Sequence, residues 1–180
     1  MTDTYNHIQG SNWWAKGVLT DDLGRKVSCL NFVAHPNVQN LGGDGQPPTN
    51  HWSIFLSFPD NESLHLDMIP ANGIDGTIMV GKRHCATEES VDVVSMIPSS
   101  DSSVDTIFRI IIDNGRDKYK FAPVGEGCRF WLATLADDLA NARIISQPDA
   151  ESARDALGKY YPYPRGTPPV ERPIQKGCFL

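Results

Sequence analysis

The sequence predicts an α+β fold in which an antiparallel sheet packs against helices. Strand-like runs separated by turn residues fill the middle of the chain, between residues 27 and 97. Apolar residues at helical spacing dominate the part that follows residue 103. Because neither a repeat nor a linker interrupts this pattern, we expect one domain over residues 1–180. Within it, residues 161–180 form a proline-rich, aromatic tail packed on the rest.

The first clear strand is expected at residues 27–33, a compact and largely apolar run that follows a mixed segment at residues 1–26. The glycine- and proline-rich stretch at residues 40–49 then predicts a connecting loop or a lid. Its glycines resemble a phosphate-binding loop, but the Gly-Lys-Ser/Thr ending of such a loop is missing. A connecting loop is therefore the preferred interpretation.

A β-hairpin is predicted around the turn residues 59–62. Residues 51–58 form the strand before this turn, and the strand after it alternates three apolar residues with His65 and Asp67. Successive side chains of a strand point to opposite faces, so His65 and Asp67 share one face of the sheet.

Further strands are predicted at residues 77–80 and 91–97, and a short extended piece at residues 119–121. Between them, the apolar spacing of residues 104–111 favours a helix that ends at Gly115, although its β-branched residues keep a strand as the alternative.

Two more helices complete the chain. The first begins at Cys128 and shows an apolar face and an opposite polar face. The apolar face holds Cys128, Leu132, Leu135 and Leu139, and the polar face holds Asp137, Asp138 and Asn141. The second spans residues 149–160, with Asp149 as its N-terminal cap.

The overall charge argues against a nucleic-acid partner. The chain carries 16 Lys and Arg against 22 Asp and Glu, a formal net charge of −6, whereas nucleic-acid binding requires a basic surface. A local basic group can be drawn from Arg116, Lys118, Lys120 and Arg129, but solvated residues around a loop are the preferred interpretation. The acidic pairs at residues 88–89 and 137–138 likewise predict solvated faces.

The sequence predicts a cytoplasmic location and free thiols. No run approaches the roughly 20 apolar residues of a membrane span, and the first residues lack the pattern of a secretory signal. The four cysteines show no paired CxxC spacing. A zinc site of His65, His84, Cys85 and Cys128 has no support from spacing, so we expect neither a metal nor another cofactor.

Cys128 is the first candidate for chemistry. It follows Gly125 and Gly127 and stands at the predicted start of a helix, among unpaired backbone N–H groups at the positive end of the helix dipole. This environment favours the thiolate, which is the nucleophilic form of cysteine. The alternative is that Cys128 is a small apolar residue that only packs in the core.

Two histidines provide candidate bases. His51 begins one strand of the predicted hairpin and His65 lies on the other, so the two approach each other across the sheet. In a minimal nucleophilic site, one histidine accepts the thiol proton and a second polar group orients that histidine. We expect His51 to be the base, and either His65 or Asp67 to be the orienting group.

These residues resemble the lecithin:retinol acyltransferase family, which has the permuted, NlpC-type papain-like fold. The run His-Trp-Ser-Ile-Phe-Leu from His51, followed by Leu-His-Leu around His65, is similar to the paired histidine strands of that family. Tyr119 and the Cys-Arg-Phe run at Cys128 resemble its tyrosine and its cysteine box, although Gly127 stands where that family usually has asparagine. The resemblance implies that Cys128 is the nucleophile, His51 the base and His65 the orienter. The segments around Trp52, Asp67 and Arg129 also resemble a family of small uncharacterised fungal proteins, some encoded in secondary-metabolite gene clusters.

The leading hypothesis is therefore a cysteine-dependent hydrolase or acyltransferase that acts on an acyl or amide carbonyl of a small, hydrophobic molecule. One alternative is a cyclase or isomerase of a hydrophobic natural product, with His51, His65 or Asp67 as proton donor. Another is a non-catalytic binding module whose contact surface is the aromatic tail. The residues expected to line the substrate pocket are Trp52, Tyr119, Gly127, Arg129 and Trp131.

Overall fold

A mostly antiparallel sheet forms the centre of the computed structural model, which describes residues 1–10, 12–37, 48–84, 89–99 and 101–180. The strands are β1 (Trp13–Trp14), β2 (Cys29–His35), β3 (His51–Ser57), β4 (Ser63–Asn72), β5 (Asp75–Arg83), β6 (Asp92–Met96), β7 (Tyr119–Lys120), β8 (Lys159–Tyr160), β9 (Val170–Glu171) and β10 (Cys178–Phe179). The main sheet has the order β10-β7-β5-β4-β3-β2-β6, with β1 added in parallel to β5, and β8 and β9 form a separate pair.

Five helices accompany the strands within the described residues: α1 (Thr2–Gly10), α2 (Thr20–Leu23), α3 (Val104–Asp113), α4 (Cys128–Asn141) and α5 (Gln147–Leu157). The predicted α+β class with an antiparallel sheet is thus confirmed. The predicted loop at residues 40–49 and the acidic pair at residues 88–89 lie largely outside the described residues.

The core lies between one face of the sheet and the apolar stripes of α3 and α4. Alternation along β4 turns Leu64, Leu66 and Met68 to this side, where each is at most 1% exposed. The stripe of α4 contributes Leu132 and Leu135 to the same cluster. Burying apolar side chains of this size stabilises the fold by roughly 1.5–3 kcal/mol each.

The hairpin of β3 and β4 is present, and its register fixes which residues are neighbours. Ile54 pairs with Leu66 and Phe55 pairs with His65. On the other side of β3, His35 of β2 pairs directly with His51. The side chains of His35, His51, His65 and Asp67 therefore share one side of these three strands.

The limits of α3 agree with the prediction, whereas those of α5 do not. The Ser103 hydroxyl accepts a hydrogen bond from the backbone N–H of Thr106 and begins α3, and Gly115 follows its end with φ +65°. The cap of α5 is Ser146, whose hydroxyl accepts from the N–H of Asp149. The assignment of Asp149 as the cap was wrong by three positions, because its carboxylate bonds back to Ser146 in a capping box.

Two charged residues predicted on solvated surfaces are buried. Asp138 of α4 is 9% exposed and accepts hydrogen bonds from Arg116 at 2.6 and 3.0 Å. Arg129 is 3% exposed. Asp138 is paired by Arg116, which is 22 residues away. Arg129 combines the nearby Glu126 with the distant carbonyls of Leu157 and Arg172. A paired charge can be buried where an isolated one cannot.

The N-terminal and C-terminal segments form helices and strands that the sequence did not predict. The mixed segment at residues 1–26 supplies α1, β1 and α2, and Trp13 packs on Phe108 with ring centroids 5.1 Å apart. The tail is not only laid on the surface, because β10 extends the main sheet beside β7. A side chain at Gly177 would overlap Tyr119, so glycine permits this close approach. Within the described ranges, no helix is both long and apolar enough to cross a membrane.

Candidate active site

Cys128 is the first residue of α4, as predicted. The backbone N–H groups of the first turn have no partner inside the helix, and they place partial positive charge around the thiol. The turn before it is held by Tyr119, whose hydroxyl donates to the carbonyl of Gly127 at 3.0 Å. A Cβ on residue 127 would come within 2.8 Å of Tyr119 Oη and of Phe121 Cδ1, so packing accounts for Gly127.

His51 begins β3 and donates a hydrogen bond from Nε2 to Asp67 Oδ1 at 2.7 Å. Asp67 lies on β4 and is 7% exposed, whereas the His51 side chain is 42% exposed. Since Ile54 pairs with Leu66, His51 and Asp67 are diagonal neighbours across the two strands. A buried carboxylate thus fixes the orientation of a partly accessible imidazole.

The thiol of Cys128 lies beside the ring of His51, close enough for each group to shift the pKa of the other. Because Nε2 of His51 is bonded to Asp67, we infer that Nδ1 faces the thiol. The backbone of Trp52 also contributes to lowering the pKa of the thiol. The structure therefore brings together three of the four predicted catalytic residues in the order Cys128, His51, Asp67.

The electrostatics of this cluster favour a thiolate beside an imidazolium. Burial alone would raise the pKa of the Cys128 thiol, but the hydrogen bond and the charge of His51 bring that pKa below its usual value. Burial would lower the pKa of His51, but hydrogen bonds to Asp67 and Cys128 raise it to about 10. Both shifts follow from opposite charges in contact.

His35 flanks the cluster and was not predicted. Its ring stacks on that of His51 with centroids 5.7 Å apart, and its Nε2 lies 2.7 Å from Ser53 Oγ. Burial and the charge of His51 lower the pKa of His35, which favours its neutral form. The available signal was the length of β2, since a strand that continues to residue 35 brings this histidine opposite His51.

The assignment of His65 as the orienter of His51 is not supported by the geometry, since Asp67 holds that position. The His65 ring instead stacks on Phe55 at 4.4 Å, and its pKa is lowered to about 4 by burial. Its Nε2 atom is buried and has no hydrogen-bond partner among the described residues.

Four of the five residues predicted to line the substrate pocket are buried in the interior of the protein. Trp52 is 0% exposed, Tyr119 2%, Trp131 1% and Arg129 3%, so their side chains do not meet solvent. Trp131 Nε1 donates to the carbonyl of Arg116 at 2.7 Å inside the core. Aromatic residues occur equally in cores and in pocket walls, so the sequence alone does not distinguish the two positions. Gly127 acts through its backbone at the start of α4.

A buried charge cluster lies directly behind Cys128. Glu126 accepts hydrogen bonds from Arg129 at 3.0 Å and from Arg172 at 2.6 Å. Arg129 also donates to the carbonyls of Leu157 and Arg172. Two guanidinium groups contact the Glu126 carboxylate, and the charge of Arg129 contributes to lowering the pKa of Cys128.

The described part of the chain contains no group of three or more His, Cys, Asp or Glu side chains placed to hold a metal ion. In the zinc arrangement considered above, Cys85 lies outside the described residues. Cys29, Cys128 and Cys178 are free thiols.

The fold and the site define an α+β protein with a cysteine–histidine–aspartate cluster at the start of a helix. The chain belongs to the family described as a domain of unknown function, DUF7770, whose model matches residues 30–180. That range contains every residue of the cluster. No match is found among curated proteins or among solved structures.

Proposed function

We propose that this protein is a cysteine-dependent hydrolase or acyltransferase that acts on an acyl or amide carbonyl. The observation that carries the proposal is the position of His51, which is hydrogen-bonded to Asp67 and electrostatically coupled to Cys128. This arrangement brings a nucleophile, a base and an orienting group together in one cluster.

In the proposed reaction, the Cys128 thiolate attacks the carbonyl carbon and forms a tetrahedral intermediate. Backbone N–H groups of the first turn of α4 donate hydrogen bonds to the oxygen as its negative charge develops. The His51 imidazolium gives its proton to the leaving alcohol or amine as the C–O or C–N bond breaks, which leaves a thioester on Cys128. Neutral His51 then removes a proton from water or from an acceptor alcohol or amine, which attacks the thioester and releases the thiolate.

Asp67 and the charge cluster have supporting roles in this proposal. Asp67 keeps the Nε2–H of His51 pointing away from the thiol and stabilises the imidazolium. Arg129, which lies next to Cys128 in sequence, adds positive charge behind the thiolate without contacting the reacting atoms.

The order of these residues supports a permuted papain-like topology. In papain-like enzymes the cysteine helix precedes the histidine strand, whereas here His51 and Asp67 precede Cys128. The packing of α4 on the antiparallel pair β3 and β4 provides the helix-on-sheet arrangement that such a site requires.

Competitive alkylation with iodoacetamide tests the proposal, since Cys178 is an exposed internal reference. We expect Cys128 to react roughly ten times faster than Cys178 at pH 6.5, although it is less exposed, because the pKa of Cys128 is held low. Cys29, whose pKa burial raises, should react slowest. Peptide mass spectrometry measures all three, and faster labelling of Cys178 would contradict an activated thiol.

Catalysis is tested with p-nitrophenyl acetate. We expect a burst of p-nitrophenol and an acetyl group on Cys128, both lost in Cys128→Ala with a decrease in turnover of about a thousandfold or more. Cys29→Ser is the matched control and should retain the burst. A reactive Cys128 that gives no acyl-enzyme would instead favour the cyclase or binding-module alternatives.

A further inference from the structure

A cavity of about 170 Å³ opens beside the candidate active site, between β1 and the strands β4 and β5. Its walls include Trp14, Lys16, His65, Gly81 and Arg83. His65, which lines the cavity, lies two residues before Asp67 on the same face of β4.

The cavity is positively charged. Lys16 and Arg83 are both exposed, and neither forms an ion pair within the described part of the chain. None of the residues that line the cavity is acidic. Two uncompensated cations at one concave surface attract an anion.

The open space depends on a glycine. Gly81 of β5 pairs with His65 of β4, and a Cβ built on Gly81 would meet no atom within 4 Å. Its backbone lies outside the left-handed region, so neither strain nor a clash accounts for glycine at this position. The missing side chain leaves room above the His65 ring for a ligand.

A second, independent observation concerns His65, which has a ring nitrogen without a hydrogen-bond partner among the described residues. The residue is 4% exposed, its Nε2 atom has no hydrogen-bond partner among the described residues, and stacking on Phe55 holds its ring. Buried polar atoms are nearly always hydrogen-bonded, so an unpaired one on a residue that lines a cavity leaves a partner for a ligand to supply. Because burial lowers the pKa of His65 to about 4, the ring is neutral at pH 7 and one of its nitrogens carries a hydrogen.

Trp14 adds an apolar surface. It is 55% exposed, although its neighbour Trp13 is buried in the core. An aromatic face beside two cations suits a ligand that joins an apolar part to a charged group.

We propose that this cavity binds a carboxylate or phosphate group on a small apolar molecule. Lys16 and Arg83 contact the charge, His65 contributes a hydrogen bond, and Trp14 packs on the apolar part. A volume of about 170 Å³ is smaller than the roughly 300–1,000 Å³ of a site for a whole drug-sized ligand, so the cavity holds one end of its ligand.

The rest of the ligand extends past His65 towards Asp67, two residues and about 7 Å further along β4. This part of the inference rests on the proposed function, since it makes the cavity the site for the anionic end of the acyl substrate. Binding of an anion in the cavity does not depend on catalysis.

Binding is tested by NMR titration of the whole protein, with the Trp14 indole N–H and the His65 ring nitrogens as reporters. The probes are benzoate and phenyl phosphate, with benzyl alcohol as the uncharged analogue. We expect both anions to shift these signals, the tighter one identifying the preferred group, and benzyl alcohol to bind at least tenfold more weakly. Equal binding of the alcohol would overturn the proposal.

Two variants and one control locate the site. Lys16→Gln with Arg83→Gln should weaken benzoate binding at least tenfold, and Gly81→Val should do the same by filling the space while keeping both charges. Lys118→Gln with Lys176→Gln removes two exposed cations elsewhere and should leave the affinity unchanged. Unchanged affinity in both cavity variants refutes the site.

The link to catalysis has a separate readout. For the ester mono-p-nitrophenyl glutarate, we expect KM to rise about tenfold in the Lys16→Gln, Arg83→Gln variant, with no change for p-nitrophenyl acetate. Anion binding without any ester hydrolysis would reject the proposed function and leave the cavity assignment standing. Hydrolysis without benzoate binding would reject the cavity and leave the thiol chemistry standing.

Discussion

Replacing Asp67 with Asn tests the electrostatic coupling between the three site residues. The amide oxygen can still accept the hydrogen bond from His51 Nε2, which spans 2.7 Å, so geometry is kept and the negative charge is removed. Without that charge, the His51 imidazolium is less stable. Its pKa should fall, and the pKa of the Cys128 thiol should rise.

The size of this effect follows from the structure. Each pKa unit corresponds to about 1.4 kcal/mol, so a rise from 6.5 to about 10 favours the charged His51 ring by roughly 5 kcal/mol. The His51 side chain is 42% exposed, and solvent screening leaves about half of this. Asp67 and Cys128 both offset the burial of His51, so we expect the Asp67 contact to provide on the order of 1 kcal/mol, or about one pKa unit.

The assay is the rate of Cys128 alkylation by iodoacetamide between pH 4 and pH 9. The rising limb reports the apparent pKa of the coupled thiol and imidazole. We expect Asp67→Asn to raise this apparent pKa by about one unit. At pH values below the apparent pKa, labelling of Cys128 should therefore be about tenfold slower. Asp117→Asn removes the carboxylate of a second Asp–His pair, Asp117 with His7 at 2.7 Å, and should leave the limb in place. An unchanged apparent pKa in Asp67→Asn would refute the electrostatic coupling between Asp67, His51 and Cys128.

Three further predictions concern stability and packing. Burial holds the pKa of His65 near 4, below the 6.5 of an unfolded chain, so stability is present above pH 6.5 and lost as the pH falls towards 4. Urea unfolding at pH 7 and 4.5 should show that His65 accounts for a loss of up to about 3 kcal/mol, so the loss should be smaller by about that amount in His65→Phe; the same loss in the variant contradicts this. Glu126→Gln should lower the free energy of unfolding by about 3 kcal/mol, because two buried arginines lose their shared carboxylate. A change below about 1 kcal/mol would mean that backbone carbonyls alone are enough to stabilise the buried guanidinium groups. Gly127→Ala should slow Cys128 alkylation roughly tenfold by displacing the start of α4, whereas Gly17→Ala, with nothing within 4 Å of its Cβ, should not.

The parts of the site that depend on local patterns were predictable. Period-two alternation and a short hairpin identify His51 and Asp67 as polar residues on adjacent strands. Glycines before an apolar helical stripe identify Cys128 as a helix start. The choice between His65 and Asp67 was not predictable, because it depends on the exact strand register and on ring orientation.

Features that depend on distant contacts were missed. Arg129 was interpreted as a solvated cation because arginine is seldom fully buried unless it is paired. Its partners include the carbonyls of Leu157, Arg172 and Pro173, and nothing near Arg129 in the sequence indicates them. His35 was missed for a related reason, since only the pairing of β2 with β3 places it beside His51.

The separation of the site residues along the chain has a consequence for folding kinetics. His51 and Asp67 belong to one hairpin, whose strands find each other through a short loop, whereas Cys128 arrives on a helix from far along the chain. Contacts between residues close in sequence lose less chain entropy on closure, so we expect the imidazole–carboxylate pair to form before the thiol docks. During refolding, Cys128 should then react as an ordinary thiol until α4 docks. Pulsed alkylation at successive refolding times measures this, and early enhanced reactivity would mean that the helix docks first.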